Sequence, residues 1–182
     1  MAQSGEEPGR ARFTRPHQRG HVLSSVGGAF MVAQLVLLFF LGHPWVPALR
    51  WVGYGLWALG CVLAWYPIFY FRRAGRVARG KSYVHTSQLV TSGLYSVVRH
   101  PQYASLFVFA FAFTLIGQHW VIVLLGVLSC FWFGLSLRGV DKGNIEKFGE
   151  AYERYREQVP GYNVVAGVFR LIGRRMKSRP GG

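Results

Sequence analysis

What most constrains this chain is the alternation of long uncharged stretches with clusters of arginine. Val22 to Leu49 lies between Arg19 and Arg50, Trp51 to Phe71 between Arg50 and Arg72, and Gln102 to Leu137 between Arg99 and Arg138. A helix needs about 20 apolar residues to cross a hydrocarbon core about 30 Å thick. The first two stretches therefore predict one span each, over 22–42 and 51–71. The third is too long for one helix and breaks at Gly117-Gln118-His119, which predicts shorter spans over 103–116 and 120–137. The expected fold is all-α, an integral membrane bundle of about four transmembrane helices. Composition agrees: 51% of the residues are hydrophobic and only 15% charged, against roughly 25% charged in soluble domains. Intrinsic disorder, a disulfide scaffold and most soluble enzyme classes are excluded.

Charge orients the spans. Twenty of the 21 Lys and Arg residues fall before the first span, between the second and third, or after the fourth, and Arg50 alone falls on the other side. The positive-inside rule makes the basic side cytoplasmic, with both termini there. Trp45, Trp51 and Trp120 then fall at the outer span ends, where amphipathic rings belong. The net charge of +14 invites a nucleic-acid partner, but these arginines flank apolar spans. Orientation and contact with a bilayer containing anionic lipids explain them better. Cys61 and Cys130 both lie within spans and read as packing residues. The six histidines show no metal-ligand spacing. Nothing in the chain indicates an oligomeric state.

Outside the spans, residues 1–21 read as a flexible basic tail. A surface helix is expected over 141–159, since Ile145, Phe148, Tyr152, Tyr155 and Val159 recur at helical spacing; Pro160-Gly161 would end it. Residues 161–182 read as a basic amphipathic tail. Val164, Val165, Val168, Leu171, Ile172 and Met176 form a stripe suited to the membrane interface. The glycines of Gly53-Tyr54-Gly55-Leu56-Trp57-Ala58-Leu59-Gly60 have the wrong spacing for a dinucleotide loop, and inside a span they suit helix packing.

The segment from Leu89 to Tyr103 carries the chemistry. Thr91-Ser92-Gly93 reads as a turn, and Pro101 suits the first turn of the third span. Arg99 and His100 stand just before that helix, so cationic side chains meet unpaired backbone N–H donors, a combination that favours a carboxylate or phosphate. A snorkelling Arg, a capping His and a Pro start fit the same residues equally well.

Two motifs in this half of the chain, Gly93-x-Tyr95-x-x-x-Arg99-His100-Pro101-x-Tyr103 and Phe148-Gly149-x-x-Tyr152-x-x-Tyr155-x-x-x-Val159-Pro160, are separated by a helical hairpin. Together they resemble the isoprenylcysteine carboxyl methyltransferase and phospholipid methyltransferase family, integral-membrane enzymes that use S-adenosylmethionine. The resemblance covers residues 85–160. It implies that Gln88, Leu89, Val90, Tyr95, His100, Pro101, Gln102 and Tyr103 lie in the cofactor segment. The family's pair of glutamates before Phe-Gly is Val140 and Asp141 here, and its usual small residue two after the motif tyrosine, commonly Gly, is Ser105. An arginine implicated in substrate binding has Arg138 as its nearest equivalent.

Given that resemblance, Arg99 or His100 is expected to hold the cofactor carboxylate and Asp141 its ribose hydroxyls or amino group. Tyr95 and Tyr103 would wall the adenine or the sulfonium. Asp141, Tyr103 and Arg138 are the expected catalytic residues: an amine acceptor must first lose a proton, to Asp141, Glu146 or a tyrosine, whereas a carboxylate needs no base, and Arg138 would hold the acceptor. The expected acceptor is a membrane-embedded, lipid-like molecule. The partial match to the acidic pair leans toward a phospholipid amine over a prenylated or small hydrophobic carboxyl or thiol. Membrane sterol reductases resemble this fold near their C-terminus, but they place a glutamate shortly after the tyrosine, where this chain has Ala104-Ser105-Leu106. A non-enzymatic membrane scaffold would leave both motifs unexplained.

Overall fold

The computed structural model describes residues 15–73 and 89–177, and among them every regular element is a helix. Gln88, expected in the cofactor segment, lies outside the described residues, as do 1–14 of the basic tail and 178–182. The order is α1 (Arg15–Leu41), α2 (Pro47–Arg73), a short 3-10 turn (Gly93–Ser96), α3 (Pro101–Gly117), α4 (Trp120–Phe148), α5 (Glu150–Gln158) and α6 (Val164–Lys177). Among the described residues three helices are long and apolar enough to cross a bilayer: Gly20–Leu41 of α1, Pro47–Tyr70 of α2, and α4. The fourth, α3, is apolar but has only 17 residues. At 1.5 Å per residue it reaches about 25 Å, slightly less than the hydrocarbon thickness. The chain is thus a helical membrane bundle.

The helices pack as two antiparallel pairs, α1 on α4 and α2 on α3, joined through α3 and α4. Lipid is as apolar as leucine, so helices associate in it by close approach of backbones at small residues. A Cβ on Gly27 would meet the Phe133 ring at 2.8 Å, and one on Gly53 would meet Ile116 at 2.8 Å and the Ala112 carbonyl at 3.0 Å. A buried polar side chain crosses this contact near its middle. Gln34 of α1 is wholly buried, and its amide donates to the Ala110 and Ile122 carbonyls at 3.0 and 3.1 Å. A buried amide bonded to two other helices fixes how α1 sits against α3 and α4.

The loop ends also agree. The backbone N–H of His43 donates to Gly117 O at 3.1 Å, and Gln118 exchanges two hydrogen bonds with the backbone of Val46. The α1–α2 and α3–α4 connections therefore meet at one end of the bundle. Gln118 ends α3 in a left-handed conformation and His119 caps α4 through Val121 N–H, so the expected break falls at Gly117-Gln118-His119. At the opposite end, Ser136 of α4 donates to Gly20 O at 2.6 Å and accepts from the Tyr103 hydroxyl at 2.7 Å. Arg99 and Asp141 lie at this second end.

The expected surface helix over 141–159 is corrected. Residues 141–148 continue α4 without interruption, and a separate α5 follows. Gly139 stays helical between Leu137 and Asp141, whereas Gly149 adopts φ +57°, which a residue with a side chain rarely tolerates. The predicted stripe still forms one cluster. Tyr152, Tyr155 and Val159 are buried together, with Ile145, Phe148 and Leu89 packed against them. The turn at Gly149 folds α5 back so that both halves of the stripe face inward.

Candidate active site

The site is built where the segment before α3 meets the end of α4 and the turn after α5. Two backbone bonds pin the segment: Arg99 N–H donates to Pro160 O at 2.9 Å and His100 N–H to Gly161 O at 2.8 Å. Its other end is tied to α2, where the Tyr70 and Ser92 hydroxyls are 2.8 Å apart. Between them Gly93 turns the chain at φ +65°, with no room for a Cβ beyond 3.2 Å from the Tyr66 hydroxyl.

Asp141 is the centre of a buried polar knot. Its Oδ1 accepts from Arg99 Nη1 at 2.8 Å, from His100 Nε2 at 2.8 Å and from the Tyr152 hydroxyl at 2.5 Å. A carboxylate oxygen only accepts, so His100 must carry its proton on Nε2. Arg99 also donates through Nε to Val159 O at 2.8 Å, and Tyr152 receives Arg99 Nη1 at 3.2 Å and Asn144 Nδ2 at 3.3 Å. Burial, and then the bond to Asp141, pushes the Tyr152 phenol up to about 12, so it stays a donor at neutral pH. The Tyr155 phenol is raised by burial too, and it donates to the Tyr95 carbonyl. Each buried charge is paired, as the interior demands.

Beside the knot lies a cleft of about 440 Å³, lined by Phe107 of α3, residues 130–141 of α4, Arg99, and Gly161 and Tyr162 of the turn after α5. Its volume suits a small organic ligand. Arg99, Arg138 and Asp141 supply its polar end, and Phe107, Phe131, Leu135 and Tyr162 its apolar walls. Phe107 and Tyr162 stack with ring centroids 4.6 Å apart.

The structure brings Arg99, Arg138 and Asp141 of the expected residues to one cleft, with His100 directly behind. His100 occupies the cap position of α3 but makes no side-chain cap bond, its ring serving Asp141 instead. Pro101 starts α3 as expected and is buried. Leu89 packs on the Tyr152 cluster, Val90 is buried, and Tyr95 enters through its carbonyl. The Gln102 carbonyl accepts from Ser105 at 2.6 Å. Tyr103 points its hydroxyl to Ser136 rather than into the cleft. The sequence reading missed Tyr152 and Asn144 as polar partners and Phe107 and Tyr162 as walls. Tyr152 lies in the second motif, where helical spacing alone made it one more apolar position.

A bundle of apolar helices with a polar knot and a cleft at one end defines an integral-membrane protein. The model of the phospholipid methyltransferase family matches residues 48–148, from the start of α2 to the end of α4, and the chain belongs to that family. The Protein-S-isoprenylcysteine O-methyltransferase of Schizosaccharomyces pombe is 31% identical over 100 residues, a match covering 50% of this chain and 42% of that protein. The chain thus matches less than half the length of that relative.

Proposed function

We propose that this protein is an S-adenosylmethionine-dependent methyltransferase whose acceptor is a membrane-held amphiphile carrying a carboxylate. The cleft is the observation that carries the reading. It extends along α4 from Cys130 and Phe131, within the apolar stretch, to Arg138 and Asp141 past its end. That is about 16 Å of helix, apolar at one end and cationic at the other. An acyl or prenyl chain fits the first part and an anionic head the second.

The donor set suits the cofactor. Arg99 can hold its carboxylate, the Oδ2 of Asp141 its ammonium or ribose hydroxyls, and the faces of Phe107 and Tyr162 its adenine or sulfonium. When bound, S-adenosylmethionine supplies a methyl group on a positively charged sulfur. The chain's own residues then bind, orient and exclude water, and positioning can provide most of the rate. Arg138, exposed at the rim, is left to draw in the acceptor carboxylate.

The sequence leaned toward a phospholipid amine, and the family's description keeps that as the second reading. An amine needs a base, however, and Oδ1 of Asp141 already accepts from three donors. The name of the relative, an O-methyltransferase, supports the carboxylate. Purified protein given S-adenosylmethionine labelled in its methyl group, together with membrane lipid extracts and synthetic prenylcysteine, should yield an alkali-labile methyl ester. Arg138→Ala should raise the acceptor KM about tenfold through loss of one charge-assisted bond. An alkali-stable product on a lipid headgroup would overturn the carboxylate while keeping the methyltransferase.

We place the knot and cleft on the cytoplasmic side, from the distribution of basic residues. With Cys61 and Cys130 changed to Ser, a cysteine at His43 should react with an impermeant thiol reagent in intact cells. One at Gly173 should react only after permeabilisation. The opposite pattern would invert the protein.

A further inference from the structure

Helix α6 presents three distinct faces, and the reaction proposed above uses none of them. Val164, Gly167, Leu171 and Arg174 form the inner face, so Val164 and Leu171, expected in the interface stripe, are turned toward the bundle instead. Gly167 sits so close that a Cβ would lie 2.0 Å from the Val97 carbonyl, Val164 packs on the Leu63, Val98 and Ala104 cluster, and Arg174 donates to Ser96 O at 2.9 Å. On the opposite flank Ala166, Arg170, Gly173 and Lys177 follow one another. Between these faces Val165, Val168, Phe169, Ile172 and Met176 are exposed, Phe169 at 71% and Met176 at 70%. At 3.6 residues per turn these five fall within an arc of about 100°.

We propose that this third face docks α6 flat on the surface of the bilayer, with the phosphate-bearing headgroups of anionic lipids around its basic side chains. The level of the helix in the fold supports a lipid surface as the occupant. Residues 160–161 are hydrogen-bonded to Arg99 and His100, immediately before α3, and Gly167 touches Val97. The chain therefore enters α6 where the uncharged stretch of α3 begins, at the membrane edge. Charge agrees: Val164–Lys177 contains Arg170, Arg174, Arg175 and Lys177 and no acidic residue. An amphipathic helix of that kind sinks its apolar face to the boundary of headgroups and acyl chains. The contacts at Val97 and Ser96 fix the rotation of α6 against the bundle, so its apolar arc stays exposed in one direction.

The test uses the full chain with Cys61 and Cys130 changed to Ser, reconstituted in phosphatidylcholine bilayers containing phosphatidylglycerol. A fluorophore is attached to a single cysteine introduced at Phe169, Ile172, Ala166 or Gly173. Spin-labelled lipid should quench positions 169 and 172 roughly twofold or more over 166 and 173, and aqueous iodide should give the reverse order. Removing the phosphatidylglycerol should reduce the lipid quenching at 169 and 172. Equal iodide access at all four positions would overturn the proposal. So would protection of 169 and 172 from both quenchers together with a doubled particle mass, since a second copy would then cover the face. Labels at Val165 and Met176, exposed on the same arc, should repeat the pattern of 169 and 172, and an unchanged melting temperature shows that each labelled protein is folded.

Discussion

Arg99→Ala is expected to lower the unfolding free energy by about 3 kcal/mol, the lower end of the cost of breaking a buried ion pair. Arg99 is 8% exposed and Asp141 19%, so the carboxylate left behind keeps a little water but loses its one permanently charged partner. The same change removes the bond to Val159 O, one of three that fasten the turn after α5 to the start of α3. Arg99→Lys should recover only part of the loss. A lysine keeps the charge but cannot reach the carbonyl and the carboxylate with one planar group. Thermal unfolding in detergent should show the alanine variant melting several degrees lower, with lysine between it and the parent. An alanine variant with unchanged melting would mean the knot is not a structural element at all.

Asp141→Asn is expected to act on two quantities at once. The amide keeps an oxygen for one donor but loses its charge beside Arg99 and His100, so melting falls. The affinity for S-adenosylmethionine should also fall, about tenfold to a hundredfold, the worth of a hydrogen bond to a charged group of about 1.5–3 kcal/mol. His100→Ala removes one of the three donors and should do both more weakly. Tyr152→Phe separates the two roles. It takes the 2.5 Å donor from Asp141 and leaves the charge, so it should cost stability of about 1 kcal/mol with a smaller change in affinity. Lower melting with unchanged affinity in Asp141→Asn would show that Asp141 ties elements together without touching the cofactor.

Much of this arrangement is legible in local sequence. Uncharged runs bounded by arginine mark α1, α2 and the α3–α4 pair, because burial in lipid depends on each residue's own polarity. Gln118 and His119 mark the turn, because capping is a property of a few neighbours. The end of α4 is not legible in the same way. Arg138, Asp141 and Lys142 announce the end of the apolar stretch, and a change of solvent looks like a change of element. The helix nonetheless continues through Gly139 and Gly143 to Phe148 and ends where Gly149 takes a positive φ. Tyr152 shows the opposite difficulty. Its spacing makes it one of an apolar stripe, and its ring is indeed buried, but its hydroxyl meets Asp141, Arg99 and Asn144 only after Gly149 has turned α5 back. Tyr162 has no sequence signal, since its stacking on Phe107 depends on a contact 55 positions away. Gln34 is likewise one polar residue in an apolar run, and its partners lie 76 and 88 positions distant. What the sequence leaves open is therefore the set of long-range polar contacts.

S-adenosylmethionine is expected to bind in the cleft beside Arg99, Arg138 and Asp141. Titration calorimetry of the purified protein in lipid nanodiscs tests this most directly, with S-adenosylmethionine, its demethylated product and NADPH as separate titrants. The first two should bind saturably with dissociation constants of about micromolar, more weakly in Asp141→Asn, and NADPH should give no heat. Tight binding of NADPH with no response to S-adenosylmethionine would contradict this expectation.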